Sequence, residues 1–214
     1  MMTHRRIILT LMLVLVSRSD LLRAEGTDEK PTKKKIEFPS PDGKFAFRYS
    51  GSKEEGEKQT YVLIDRASGK VVKTVAESDP DGGPSMRFVM EKVLWRSDSK
   101  AFALIAYLWK RGSSLSVFMR DGPTFREIEL PELSIEIPET AMKGKDFPHV
   151  AELDSDTVKR WEKDGSLVVE IETIQDGGGD SSMIQANRTV TLGFDHFAKA
   201  KILKSTEKFA IKNE

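Results

Sequence analysis

Asp176-Gly177-Gly178-Gly179-Asp180 brings two carboxylates close together on a backbone able to wrap a small ligand. A defined calcium loop needs Asp-x-Asp-x-Asp-Gly spacing, which this stretch lacks, so Asp176 and Asp180 stand as ligand-binding candidates and not as metal ligands. Asp79-Pro80-Asp81-Gly82-Gly83-Pro84 repeats the chemistry in a form that reads as a plain turn. Trp109, ahead of Lys110-Arg111-Gly112, is an aromatic at the end of an apolar run; at a hairpin tip it would stack on a sugar or peptide, and in a core strand it would be buried. His149 and His196 have no His or carboxylate partner at a ligand spacing, which makes them strand-end or surface residues. Ser181-Ser182 lies outside any nucleophile elbow, and no phosphate-cradling glycine pattern occurs. Catalytic residues, metal and cofactor are therefore all expected to be absent.

The elements that must position these residues are strands. Beyond Ile36, runs rich in Val, Ile, Phe, Tyr and Thr alternate with Asp, Gly, Ser and Pro clusters, and helical periodicity is scarce. One turn recurs. Ser40-Pro41-Asp42-Gly43-Lys44 opens a strand at Phe45, Trp95-Arg96-Ser97-Asp98-Ser99-Lys100 opens one at Ala101, and Trp161-Glu162-Lys163-Asp164-Gly165-Ser166 opens one at Leu167. An Asp there can accept from the backbone two residues on, which gives the recurrence a mechanism.

A second landmark follows each turn: Asp65, Asp121 and Asp195. The interval from Asp42 to Asp65 equals that from Asp98 to Asp121, so the first two units repeat with a period of 56. The third interval is longer, and the excess is expected to be a protruding loop at Asp176 to Ser182. Ala101 to Trp109 is apolar on both faces, as a strand between two sheets would be, whereas Val168-Val169-Glu170-Ile171-Glu172 alternates, as an outer sheet would. Pro131 to Arg160 breaks the pattern; Ser155 there could cap a helical turn that places Val158 and Trp161 on one side.

The recurring turn resembles the Trp-Ser-Pro-Asp-Gly-Lys blade motif of bacterial β-propellers, the periplasmic propeller of the Tol system and prolyl-oligopeptidase-like propellers among them. The resemblance implies an all-β fold of three four-stranded antiparallel units, near 36–76, 86–130 and 149–205 within a domain over 36–214. Propellers close with about four to eight blades, so three units imply an oligomer that completes the ring, sheets packed without closure, or a further blade within Pro131 to Arg160. A β-sandwich is the alternative.

The first residues carry an address. Arg5 and Arg6 precede an apolar run from Ile7 to Val16, followed by small residues suited to cleavage after Ser19, or alternatively Ala24. This ten-residue run, apolar except for Thr10, rises about 15 Å as a helix, roughly half of a hydrocarbon core, so a signal peptide is expected over 1–19 (or 1–24) and no stable membrane span. A flexible, charged leader is expected to follow as far as Lys35. The full chain has a formal net charge of +0, which becomes about −3 once the basic signal is removed; with lysines and arginines dispersed, nucleic acid is not an expected partner. Cysteine is absent, so no disulfide or thiolate chemistry is available and the fold must stand on its core. These readings predict a periplasmic or secreted, non-enzymatic protein that binds another protein or a cell-envelope component. An exported enzyme or carbohydrate-binding accessory acting through loop carboxylates is the second reading.

Overall fold

The computed structural model describes residues 35–50, 60–77, 88–108, 112–177, 182–196 and 199–213. All of them belong to one compact unit, Thr32–Glu214. The expected signal peptide and nearly all of the leader lie outside the described residues.

The described fold is all-β. Strands β1 (Lys35–Glu37), β2 (Phe45–Ser50), β3 (Thr60–Asp65) and β4 (Val71–Glu77) form a four-stranded antiparallel sheet in chain order. Strands β5 (Phe88–Trp95), β6 (Ala101–Leu108), β7 (Ser113–Asp121) and β8 (Thr124–Glu127) follow as a second meander. A short helix, α1 (Glu139–Met142), precedes β9 (His149–Trp161), β10 (Leu167–Asp176), β11 (Ser182–Phe194) and β12 (Ala200–Asn213). Gly69, at φ 68°, makes the turn between β3 and β4 in the left-handed region that glycine enters without a Cβ penalty.

The expectation of three separate four-stranded units needs correction. The strands from β5 to β12 belong to one eight-stranded open sheet, because β7 and β9 meet in parallel at Ser113 and Ser155. Side chains reinforce that seam: the Ser113 hydroxyl donates to the Asp156 carbonyl at 2.9 Å, and the Asp156 carboxylate accepts from the Leu115 amide at 2.9 Å. The same segment corrects the helical turn expected around Ser155. Residues 149–161 are strand, with irregular register against β10, and Val158 is fully buried.

Two apolar cores flank β6. Phe102 and Leu104 face Phe45, Phe47, Leu63, Phe118 and Phe125 toward the first sheet. Ala103 and Ile105 face Leu115, Val117, Val158, Leu167, Val169, Ile171, Val190 and Leu192. This strand is buried on both sides, as its unbroken apolar run demands; full burial of a Phe, Leu or Ile side chain contributes about 1.5–3 kcal/mol. In β10, by contrast, Val169 and Ile171 are buried while Glu170 and Glu172 are only partly so. Leu130, Leu133 and Ile135 of the connector pack against the second core, so that segment is a covering layer.

The strands of the third unit are long, and both ends of the expected loop, Asp176 and Ser182, are strand residues; 178–181 lie outside the described residues. Asp176 pairs with Met183, the Gly177 amide donates to the Ser182 carbonyl at 2.8 Å, and Ser182 is buried. The second landmark also shifts in register. Phe45 pairs with Asp65, whereas Ala101 pairs with Met119, two residues before Asp121, and Leu167 with Leu192, three before Asp195. Turn spacing repeats; hairpin length does not.

Candidate binding surface

The recurring aspartates are the most conspicuous carboxylates, and each is engaged in its own turn. Asp42 Oδ1 accepts from the Lys44 amide at 3.1 Å, Asp98 Oδ1 from the Lys100 amide at 2.9 Å, and Asp164 Oδ1 from the Ser166 amide at 3.0 Å. Burial alone would raise the pKa of Asp42, but hydrogen bonds from Ser40, Lys44 and Ser99 outweigh it and hold the group below the ordinary Asp value. The hydrogen bond from the Arg96 guanidinium lowers Asp98, and that from the Ser166 hydroxyl lowers Asp164. Asp65 is lowered by the Ser68 hydroxyl in the turn that closes the first hairpin. These carboxylates are kept ionised by turn donors, which suits capping a strand entry and not proton transfer at neutral pH.

The two repeat tryptophans join neighbouring units. Trp95 Nε1 donates to the Phe38 carbonyl at 3.0 Å, and Trp161 Nε1 donates to the Leu94 carbonyl at 2.9 Å. Phe38 and Leu94 each lie four residues before their own turn Asp, so the two bonds are equivalent under the repeat. Trp95 sits among Phe45, Phe47, Phe102 and Phe125, with ring centroids 4.9–6.5 Å away. Trp161 contacts Phe194 at 5.7 Å and carries the Arg96 guanidinium 5.8 Å from its centroid. Both indoles are partly buried.

Three cavities show where small groups could sit. One of about 560 Å³ is lined by Glu132, Glu136, Glu207, Arg188 and Ser134 beside the connector. Arg188 there donates to the Ser205 hydroxyl at 3.0 Å and the Ser134 carbonyl at 2.7 Å, and lies 3.5 Å from Glu207. A second, of about 280 Å³, is lined by Trp95, Trp161, Lys159, Arg160, Glu162 and Lys163. A third, of about 330 Å³, holds Arg96, Asp164, Phe194 and Lys201. Among these cavities, the carboxylate-rich one and the one bearing both indoles are separate.

The last strand forms a margin of the sheet: α1 lies in contact with it, but among the described residues no further strand pairs with its outer edge. β12 is 14 residues long, pairs with β11 along its length and terminates the eight-stranded sheet. Its start is covered by Glu129, whose carbonyl accepts from the Ala200 amide at 2.9 Å. Lys201, Lys204, Lys208 and Lys212 along it are exposed and form no ion pair among the described residues. Glu207 is paired with Arg188.

Of the residues predicted from sequence, Trp109 and Asp180 lie outside the described residues, and Asp176 ends β10 opposite His149 and Met183. The structure does not bring Asp176 into the three cavities above. Among the described residues, no group of three His, Asp or Glu side chains is placed to hold a metal ion. Sequence reasoning missed Arg188 and the connector carboxylates. The alternation in Leu133-Ser134-Ile135-Glu136-Ile137, apolar inward and polar outward, was the available signal.

No family model matches the chain, and no curated protein matches it. A crystal structure of the uncharacterized protein lmo1340 from Listeria monocytogenes EGD-e is similar over 78% of this chain and 56% of that one, at 13% identity and a TM-score of 0.33. The chain thus spans little more than half the length of that protein.

Proposed function

We propose that the chain is an exported, non-enzymatic, propeller-like interaction protein of the cell envelope, acting in the periplasm or after secretion. The observation that carries the binding reading is that the cavity bearing both indoles holds a single carboxylate, Glu162, already paired with Arg160, while the cluster of carboxylates lines a separate cavity. A sugar-processing or hydrolytic site draws such groups into one pocket. The recurring aspartates, spent on turns, support the same reading. Export rests on Arg5, Arg6 and the apolar run that follows. Among the described residues, no helix is long and apolar enough to cross a membrane.

Capture from an envelope fraction with the mature protein tests the reading, with mass spectrometry of the exported chain beside it. The expected results are a new N-terminus at Asp20 or Glu25 and specific retention of a protein or envelope component. Intact Met1 in a membrane fraction would refute export. Retention of a glycan, abolished in Glu136→Gln, would favour the second reading, an exported enzyme or carbohydrate-binding accessory, which the carboxylates around the 560 Å³ cavity support.

A further inference from the structure

We propose that the outer edge of β12 is a strand-addition site that takes an extended, acidic segment of another protein; the inference rests on the binding reading above and supplies its partner chemistry. Edge strands are usually short or blunted, because unpaired amides and carbonyls template further pairing. β12 has 14 residues and contains neither proline nor glycine. Its pairing pattern fixes which backbone groups are free. The Asp195 amide donates to the Lys199 carbonyl and the Ala200 amide points away to Glu129, so alternation beyond the irregularity at Thr191/Leu192 turns the amides of Ser205, Glu207, Phe209 and Ile211 to the open side.

Charge then selects the occupant. Lys204, Lys208 and Lys212 share the exposed face, each two positions along that face from the next, and Lys201 adds to the same margin. Lysines on an edge repel indiscriminate pairing. A strand with Glu at every fourth position is the chemistry that satisfies them, since opposite charges on paired strands stabilise and like charges do not. A second copy of this chain brings the same lysines to within a strand spacing of about 4.8 Å and sets Lys204 against Lys208 in the register centred on Thr206.

The probe is a fluorescein-labelled peptide of about eleven residues, long enough to span Lys204 to Lys212 at roughly 3.3 Å per residue, with Glu at every fourth position and Thr and Val between. Its binding to the mature protein is read by anisotropy against the same peptide with Lys for Glu. The expected result is at least tenfold tighter binding of the Glu peptide, with the preference reversed in Lys204→Glu/Lys208→Glu/Lys212→Glu. N-methylation of alternate backbone amides in the peptide, in the phase that faces the edge, should abolish binding without altering the protein. Undiminished binding of the peptides N-methylated in either phase would overturn strand addition, because surface charge alone would then account for the affinity. Equal affinity for both peptides, or none, would overturn the inference while leaving envelope capture free to succeed and the binding reading intact. A dimer of the free protein that disappears in the triple variant would overturn it in favour of a second copy.

Discussion

Replacing Trp95 separates two contributions that the structure assigns to one side chain. In Trp95→Phe, the ring packing among Phe45, Phe47, Phe102 and Phe125 is largely kept, but the Phe38 carbonyl loses its donor. Leaving a partly buried acceptor without a partner costs about 1–3 kcal/mol. In Trp95→Ala the four aromatic contacts go as well, each such pair being worth about 0.5–1.5 kcal/mol beyond its area, and the total should reach about 3–5 kcal/mol. For a chain of this size, that corresponds to a fall in Tm of roughly 6–20 °C. Urea denaturation should be followed by circular dichroism, because removing an indole alters the fluorescence signal itself. Unchanged midpoints in both variants would refute the role of Trp95 as the joint between the first two meanders. Equal losses in Phe and Ala variants would instead place the whole effect in the hydrogen bond and refute the packing argument.

Asp156→Ala should cost about 1–3 kcal/mol by orphaning the Leu115 amide at the seam between β7 and β9, whereas Asp156→Asn keeps an acceptor and should cost less; hydrogen exchange localised to β7 and β9 checks the site of the damage. The turn aspartates titrate below their ordinary value in the folded state, so their stabilisation is complete above about pH 4 and is lost as pH falls through the folded values. Asp98→Asn should therefore flatten the acid limb of a stability profile, and its cost at neutral pH should stay within about 1 kcal/mol because the Arg96 pair is partly exposed. A Cβ at Gly193 would meet Leu203 side-chain atoms at 2.8–3.0 Å, but Leu203 is 53% exposed and can swing aside. Gly193→Ala should thus be nearly neutral in a thermal melt, and Gly193→Val should lose about 1–3 kcal/mol, recovered in part by Leu203→Ala.

Features written in local pattern were legible from sequence. The two-sided apolar run of β6, the alternation in β10 and the Asp turns follow from side-chain period and short-range hydrogen bonding, and each sits in the structure where that chemistry requires. The merging of the last eight strands was not legible, because it hangs on one parallel pairing, Ser113 with Ser155, between residues far apart in the chain. Polar strand residues hid the length of the third unit. Asp176 and Ser182 read as loop, yet Asp176 pairs with Met183 and strand pairing continues through Gln185 and Asn187, where Gln185 donates to Glu172. The margin was invisible for a related reason: β12 looks like an ordinary lysine-bearing strand until its position at the end of the sheet is known.

The double burial of β6 carries a cost before the fold is complete. Ala101 to Leu108 is eight residues without a charge, proline or glycine, rich in residues that favour extended chains, which is the composition of a segment that stacks with copies of itself when exposed. Its hairpin with β7 forms from near neighbours, but one flank waits for the first sheet and the other for strands from Val158 to Leu192. Until both arrive, Lys100 on one side and Lys110-Arg111 on the other are the charges flanking the run, in the positions natural sequences give to gatekeepers. Neutralising those three residues should therefore raise losses to aggregation during refolding while leaving the equilibrium stability of the finished protein nearly unchanged.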